Sequence, residues 1–203
     1  MNYLSINNQR IELTAEQVKA IEAAFGAEAG IKLSDIAPGE TFKLGQYEFF
    51  VLEHLEDATA VLLKGLLNDS EKFGSNNNYD GSHVDELCCA FGEEIEEIVG
   101  KDNIMEHEVD LTSDDGLKDY GTIKRKMSLI TANDYRKWVE AIDKQKLDKW
   151  WWLSTAYSTP THDDDDWVKC VSPSGNFDDG NCYYDDIGVR PFCILKSNIF
   201  VSK

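Results

Sequence analysis

The sequence predicts an α+β fold, and three observations carry that prediction. Two neighbouring runs of aromatic and β-branched residues, 47–53 and 58–63, flank Glu56-Asp57 and read as an antiparallel hairpin. Two amphipathic stretches open at Ser82 and Thr131, each with apolar residues at helical spacing behind a capping residue. From Trp150 onward the chain returns to short apolar runs broken by polar loops. The order is a strand hairpin, two helices and a strand-and-loop half, with no internal repeat.

A small unit precedes the hairpin. Ile6, Ile11 and Leu13 fit a short hairpin across Asn7-Asn8. Thr14 and Gln17 form a capping box, Val18, Ile21 and Phe25 fall at helical spacing, and Gly26 ends the helix. Ile31, Leu33 and Ile36 lead to the turn signal Pro38-Gly39. The chain thus divides into an N-terminal appendage over 1–38 and a main domain over 39–203.

In the main domain, 68–81 is polar, centred on Asn76-Asn77-Asn78, and reads as a loop. Ser82 opens the first helix with Asp85 three residues on. Val84, Leu87, Cys88, Phe91, Ile95 and Ile98 trace its apolar stripe, Glu93, Glu94, Glu96 and Glu97 point away, and Gly100 stops it. Thr131 opens the second helix with Asp134 at the capping-box position; Tyr135, Trp138 and Ile142 line its buried face. The connection between the helices is polar and contains Asp114-Asp115-Gly116. Strands are expected over 150–153, 167–171, 189–195 and 199–201, with a turn at Pro173-Ser174-Gly175-Asn176.

Composition narrows the function. With 203 residues, 42% of them hydrophobic, the chain can bury a sizeable core. No apolar run reaches 18 residues, and the start Met1-Asn2-Tyr3-Leu4-Ser5 is neither basic nor apolar, so neither a membrane span nor a signal peptide is expected. The five cysteines, an odd number without an export signal, point to reduced thiols in a bacterial cytoplasm. The net charge of −18 repels phosphate backbones and anionic membranes, so direct nucleic-acid and membrane partners are not expected. A solvated acidic surface is the plain reading; a surface that docks a basic partner is the sharper one.

Two motifs stand out near the C-terminus: Trp150-Trp151-Trp152-Leu153-Ser154-Thr155, and Gly188-Val189-Arg190-Pro191-Phe192. Together they resemble the signature of a C-type-lectin-like domain of unknown function found in bacterial and prophage proteins. The resemblance covers roughly 39–203. In that family a Trp-Trp-Leu-Arg-Ser type strand is followed by a long polar loop, a Val-containing strand with a Ser-x-Gly turn, and a Gly-Val-Arg-Pro strand. Trp151, Trp152 and Leu153 match, Ser174 and Asn176 match loosely, and Gly188, Val189, Arg190 and Pro191 match closely; Ser154 replaces the usual arginine. The resemblance implies a twisted antiparallel sheet flanked by two helices. It implies no reaction.

On the residues themselves, strand alternation puts Trp150 and Trp152 on one face and Trp151 on the other, with core packing as their role. Arg190, flanked by apolar residues, is expected to be partly buried and paired with a carboxylate. The candidate binding loops are 68–81, 157–166 and 176–186. Their named residues are Tyr157, His162, Asp163, Asp164, Asp165 and Asp166, with Asp178, Asp179, Asp185 and Asp186 extending the same negative patch. No cofactor is expected. Calcium at the aspartate run, and zinc from Cys170, Cys182, Cys193 and a histidine, stay open as alternatives. The Glu-Pro-Asn, Gln-Pro-Asp and Trp-Asn-Asp motifs of calcium-dependent sugar-binding lectins are missing from the chain, and no C-x-x-C spacing occurs.

No enzyme is expected, since His54, His83, His107 and His162 are scattered and no nucleophile motif surrounds a serine. The expected function is a non-enzymatic recognition module of prophage or mobile-element origin, cytoplasmic or carried on a virion, that binds a protein or a glycan through acidic loops. The alternative is an acidic intracellular inhibitor of a host defence nuclease that mimics nucleic acid, as anti-CRISPR proteins do.

Overall fold

The computed structural model describes residues 3–6, 9–17 and 30–203. Strands β1 (Tyr3–Ile6) and β2 (Gln9–Glu12) pair antiparallel, Leu4 opposite Ile11, as the hairpin reading requires. Thr14 and Gln17 close the capping box: the Gln17 side chain accepts from the Thr14 N–H, and Thr14 Oγ1 accepts from the Gln17 N–H. The Asn7-Asn8 turn and the expected helix face of Val18, Ile21 and Phe25, with its stop at Gly26, lie outside the described residues.

The architecture of the rest is α+β with antiparallel sheets. Strands β3 (Ile31–Lys32), β4 (Thr41–Leu44), β5 (Tyr47–His54) and β6 (Ala58–Leu63) lead into helix α1 (His83–Val99). Short strands β7 (Ile104–Met105), β8 (His107–Asp110), β9 (Thr122–Arg125) and β10 (Met127–Ser128) precede helix α2 (Ala132–Asp143). Then come β11 (Trp151–Ala156), β12 (Trp167–Val171), β13 (Phe177–Asn181), β14 (Phe192–Lys196) and β15 (Phe200–Val201). The main sheet runs β10-β14-β6-β5-β4, with β7 sharing the outer edge of β14. A second sheet runs β11-β12-β13.

Both faces of the main sheet are covered, which is why all six residues of β6 are buried. On one face Phe49, Val51, Val61 and Leu195 pack against Val84, Cys88, Phe91 and Ile95 of α1. On the other, Phe50, Leu62 and Phe192 pack against Tyr135, Ala141 and Ile142 of α2. Strand β11 belongs to both cores. Trp152, fully buried, joins the α1 side with half-buried Trp150, while Trp151 and Leu153 join the α2 side. The expected alternation of the tryptophans holds.

The caps follow the sequence. Ser82 accepts from the Asp85 N–H, Gly100 ends α1 at φ 87°, and Thr131 with Asp134 forms a full capping box. Trp138 departs from helical geometry within α2 and is half-buried there.

Several expectations need correction. Ile98 is 42% exposed, so the α1 stripe ends at Ile95. The tryptophan strand begins one residue later and runs on to Ala156. The expected 189–195 strand is a ladder only from Phe192; ahead of it, Gly188 and Val189 make single bridges to Trp151 and Asn68, and Pro191 has no N–H to donate. The connection between the helices is not merely polar, since β8 and β9 pair within it and bury Val109 and Leu111. Strand β13 occupies part of the expected 176–186 loop. Its sequence Phe-Asp-Asp-Gly-Asn disfavours a strand, and pairing with β12 makes it one.

Arg190 departs most from expectation. It is fully buried, and among the described residues no carboxylate pairs with it. Its Nε donates to Leu63 O, and its Nη2 donates to Lys64 O and Gln145 O, each at 2.9 Å. The guanidinium lies between the rings of Phe50 (5.2 Å) and Trp151 (5.1 Å). Main-chain carbonyls and ring faces replace the expected anion. Burial pulls its pKa down to about 9, which leaves it charged at neutral pH. Gly188 explains the start of the same motif: a Cβ there would stand 2.4 Å from Leu66 Cδ1 and 3.0 Å from the Asn68 carbonyl.

Candidate binding face

Asn77 ties the loops together. It is fully buried, and its side-chain amide donates to the carbonyls of Ser158 and Trp167, each at 3.1 Å. Its backbone N–H donates to Asp165 O at 2.7 Å, and its Oδ1 accepts from the Tyr120 hydroxyl at 2.6 Å. One asparagine thus satisfies the backbone of 158–167 where that loop leaves the sheet. Burial, then Asp165, Asp119 and Asp164, push the Tyr120 phenol up to about 12.

The segment 111–121 supplies a second set of ties. Asp115 accepts from Ser113 Oγ at 2.5 Å and Ser158 Oγ at 2.7 Å, and lies 2.9 Å from His162 Nδ1. Those bonds hold its carboxyl well below the usual carboxylate range. Asp119 accepts from Thr159 and Thr161, both at 2.6 Å, which lowers its pKa too. Asp114 pairs with Arg136 of α2 at 2.9 Å and reaches Lys169 at 3.5 Å. Lys169 is buried on β12, 2.7 Å from Asp179 directly across the ladder. Burial opposes its charge, but the two carboxylates outweigh burial and raise its pKa.

The named aspartates divide by role. Asp179 is spent on Lys169. Asp164 turns the chain, accepting from the N–H of Asp166 and Trp167, and Asp163 takes the left-handed conformation at φ 57°. Asp178 lies on the exposed side of β13, and its carboxylate caps the Asp179 N–H. Among the described residues, Asp163, Asp164, Asp165, Asp166, Asp178, Asp185 and Asp186 have no cation within ion-pair distance. His162 is exposed and bound to Asp115.

Aromatic rings surface among these carboxylates. Tyr157, Trp167, Tyr183 and Tyr184 are four of the eight exposed large hydrophobic residues of the described chain, so exposed apolar surface concentrates here. Trp167 and Tyr184 meet edge to face at 6.2 Å. The Tyr183 hydroxyl donates to Ser75 O, which brings the 68–81 loop to the same end. The three expected loops therefore do gather, with 111–121 as an unexpected fourth.

Sequence reading missed Asn77, Asp115, Asp119, Lys169 and Arg136. Lys169 carried a readable signal, a lone cation inside the apolar run Trp167-Val168-Lys169-Cys170-Val171. The others gave none, because their partners are distant in sequence. Among the described residues, no three His, Cys, Asp or Glu side chains converge as metal ligands. Cys170 and Cys182 are buried thiols, with burial pushing their pKa values up to about 12 and about 11. No helix of the described residues is long and apolar enough to cross a membrane.

A family model described as a domain of unknown function (DUF6273) matches residues 106–197. The match spans β8 to β14, somewhat less than half of the chain, and includes α2, both motifs and most of the acidic face. No curated protein and no solved structure matches the chain.

Proposed function

We propose that this chain is a non-enzymatic recognition module of C-type-lectin-like architecture that binds a positively charged protein surface. The observation that carries the reading is the set of exposed rings, Tyr157, Trp167, Tyr183 and Tyr184, set among aspartates without ion-pair partners on loops fastened by Asn77 and Asp115. Aromatic side chains offer large contact area at low entropic cost, and carboxylates around them select basic partners and speed association. Fastened loops lose little freedom on binding. The architectural part is supported by helices on opposite faces of an antiparallel sheet and by the positions of the two motifs on β11 and before β14. The basic channel of a nuclease is one surface of the required kind. The prophage setting rests on the motif resemblance alone.

Capture of host proteins on immobilised full-length chain, beside a glycan array, tests the reading. A captured basic protein should be lost when Asp163, Asp165 and Asp166 become asparagine together, and separately when Trp167 becomes alanine. Its affinity should fall steeply with salt. Binding to a neutral glycan instead, unaffected by salt and by the asparagine variant, would sink the charge-based reading.

A further inference from the structure

A second concave site lies away from the acidic face, in a cleft of about 190 Å³ between α2 and the α2-facing side of the main sheet. Its floor is Ala60 opposite Ile194, a small residue in a row of large ones, and this substitution of size leaves the hollow. Its walls are aromatic. Trp138 lies 5.4 Å from Phe192 at 31°, and the His107 ring meets Phe192 edge-on at 5.0 Å. The Trp138 indole is fixed by its N–H bond to Glu53 at 3.0 Å and by Lys137 above its ring. At one side of the cleft His107 Nε2 and the Ser128 hydroxyl, 2.8 Å apart, are bonded to each other, and His107 Nδ1 is buried.

We propose that this cleft binds a single aromatic ring that carries no negative charge. Volume limits the ligand to one ring, since an engineered cavity of about 150 Å³ in another protein holds a benzene. Aromatic walls favour a flat ligand that stacks on Trp138 or meets Phe192 edge-on. Negative charge is selected against. The rim carries Glu108 and Asp134, and its cation, Lys137, is already paired with Glu53 at 2.5 Å. This site shares helix α2 with the acidic face but is lined by none of the residues named there.

Phenol is the probe. Titrated into isotopically labelled full-length protein, it should shift the Trp138 indole N–H and an Ile194 methyl saturably, in the millimolar range or tighter. Benzoate, the same ring with a charge, should bind at least about tenfold more weakly. Ala60→Leu should abolish the saturable shift by filling the floor. Leu55→Trp, at an exposed position on the mouth, should weaken phenol by about tenfold or more and serves as the variant that leaves the core untouched. A shift that stays linear with phenol, equal binding of benzoate, or undiminished binding by Leu55→Trp would overturn the proposal.

Discussion

At the scale of single residues, Arg190 sets the largest energetic stake. Removing its side chain takes a donor from three backbone carbonyls and opens a gap between Phe50 and Trp151. Arg190→Leu should cost about 3–5 kcal/mol in urea unfolding. Arg190→Lys should still cost about 1.5–3 kcal/mol, because an ammonium lacks the planar fork that spans Leu63, Lys64 and Gln145. An effect within about 0.5 kcal/mol, typical of surface positions, would refute this role. His107 offers a pH signature. Burial lowers its folded pKa from 6.5 to about 4, so below pH 6.5 the unfolded chain takes up a proton that the folded chain refuses. Stability present at pH 7 is therefore lost as pH falls from about 6.5 towards 4, by about 2.5 kcal/mol at pH 4.5. His107→Gln should remove that share of the pH dependence while other carboxylates keep theirs. Arg190 also marks a limit of sequence reading. Its burial was legible from its apolar neighbours. Its partners were not, because a backbone carbonyl leaves no mark on the residue that carries it.

At the scale of elements, the Gly188 segment works as a key between β11 and residues 66–68. Gly188→Ala must displace Leu66 and press on the Asn68 carbonyl, and the second of these cannot rotate away. A loss of about 1–3 kcal/mol is expected, read from the urea midpoint; an unchanged midpoint would mean that the segment gives way freely. The legibility of elements follows where their information sits. Helices α1 and α2 and the β5–β6 hairpin were readable because cap, stripe and turn lie within a few residues of one another. Strand β13 was not, since two aspartates and a glycine become a strand only through β12. Strands β8 and β9 were hidden for the same reason, with Val109 and Ile123 as the only apolar pair on their ladder. The acidic loops were legible as segments and illegible as a site, because Asn77 and Asp115 lie about 40–90 residues from what they hold.

For the whole molecule, β11 makes two cores one cooperative unit. Trp152 belongs to the α1 side and Trp151 to the α2 side, so neither core can open while that strand stays in place. Tryptophan fluorescence and far-UV circular dichroism should therefore follow a single coincident transition in urea. Two separated transitions would show that the helices guard independent units. The net charge of −18 adds repulsion that is spread over the surface, so the midpoint should rise with modest salt.

Asn77 has one more implication. Each of its bonds to the 158–167 loop is made to main chain: the carbonyls of Ser158, Asp165 and Trp167. Such an anchor is blind to side-chain identity. Mutations at Asp165 and Asp166 can accumulate while the backbone stays moored, so those two positions are free to drift in sequence and acquire new partners on an unchanged frame. A fastening of this kind separates the evolution of what the protein binds from the evolution of how it folds.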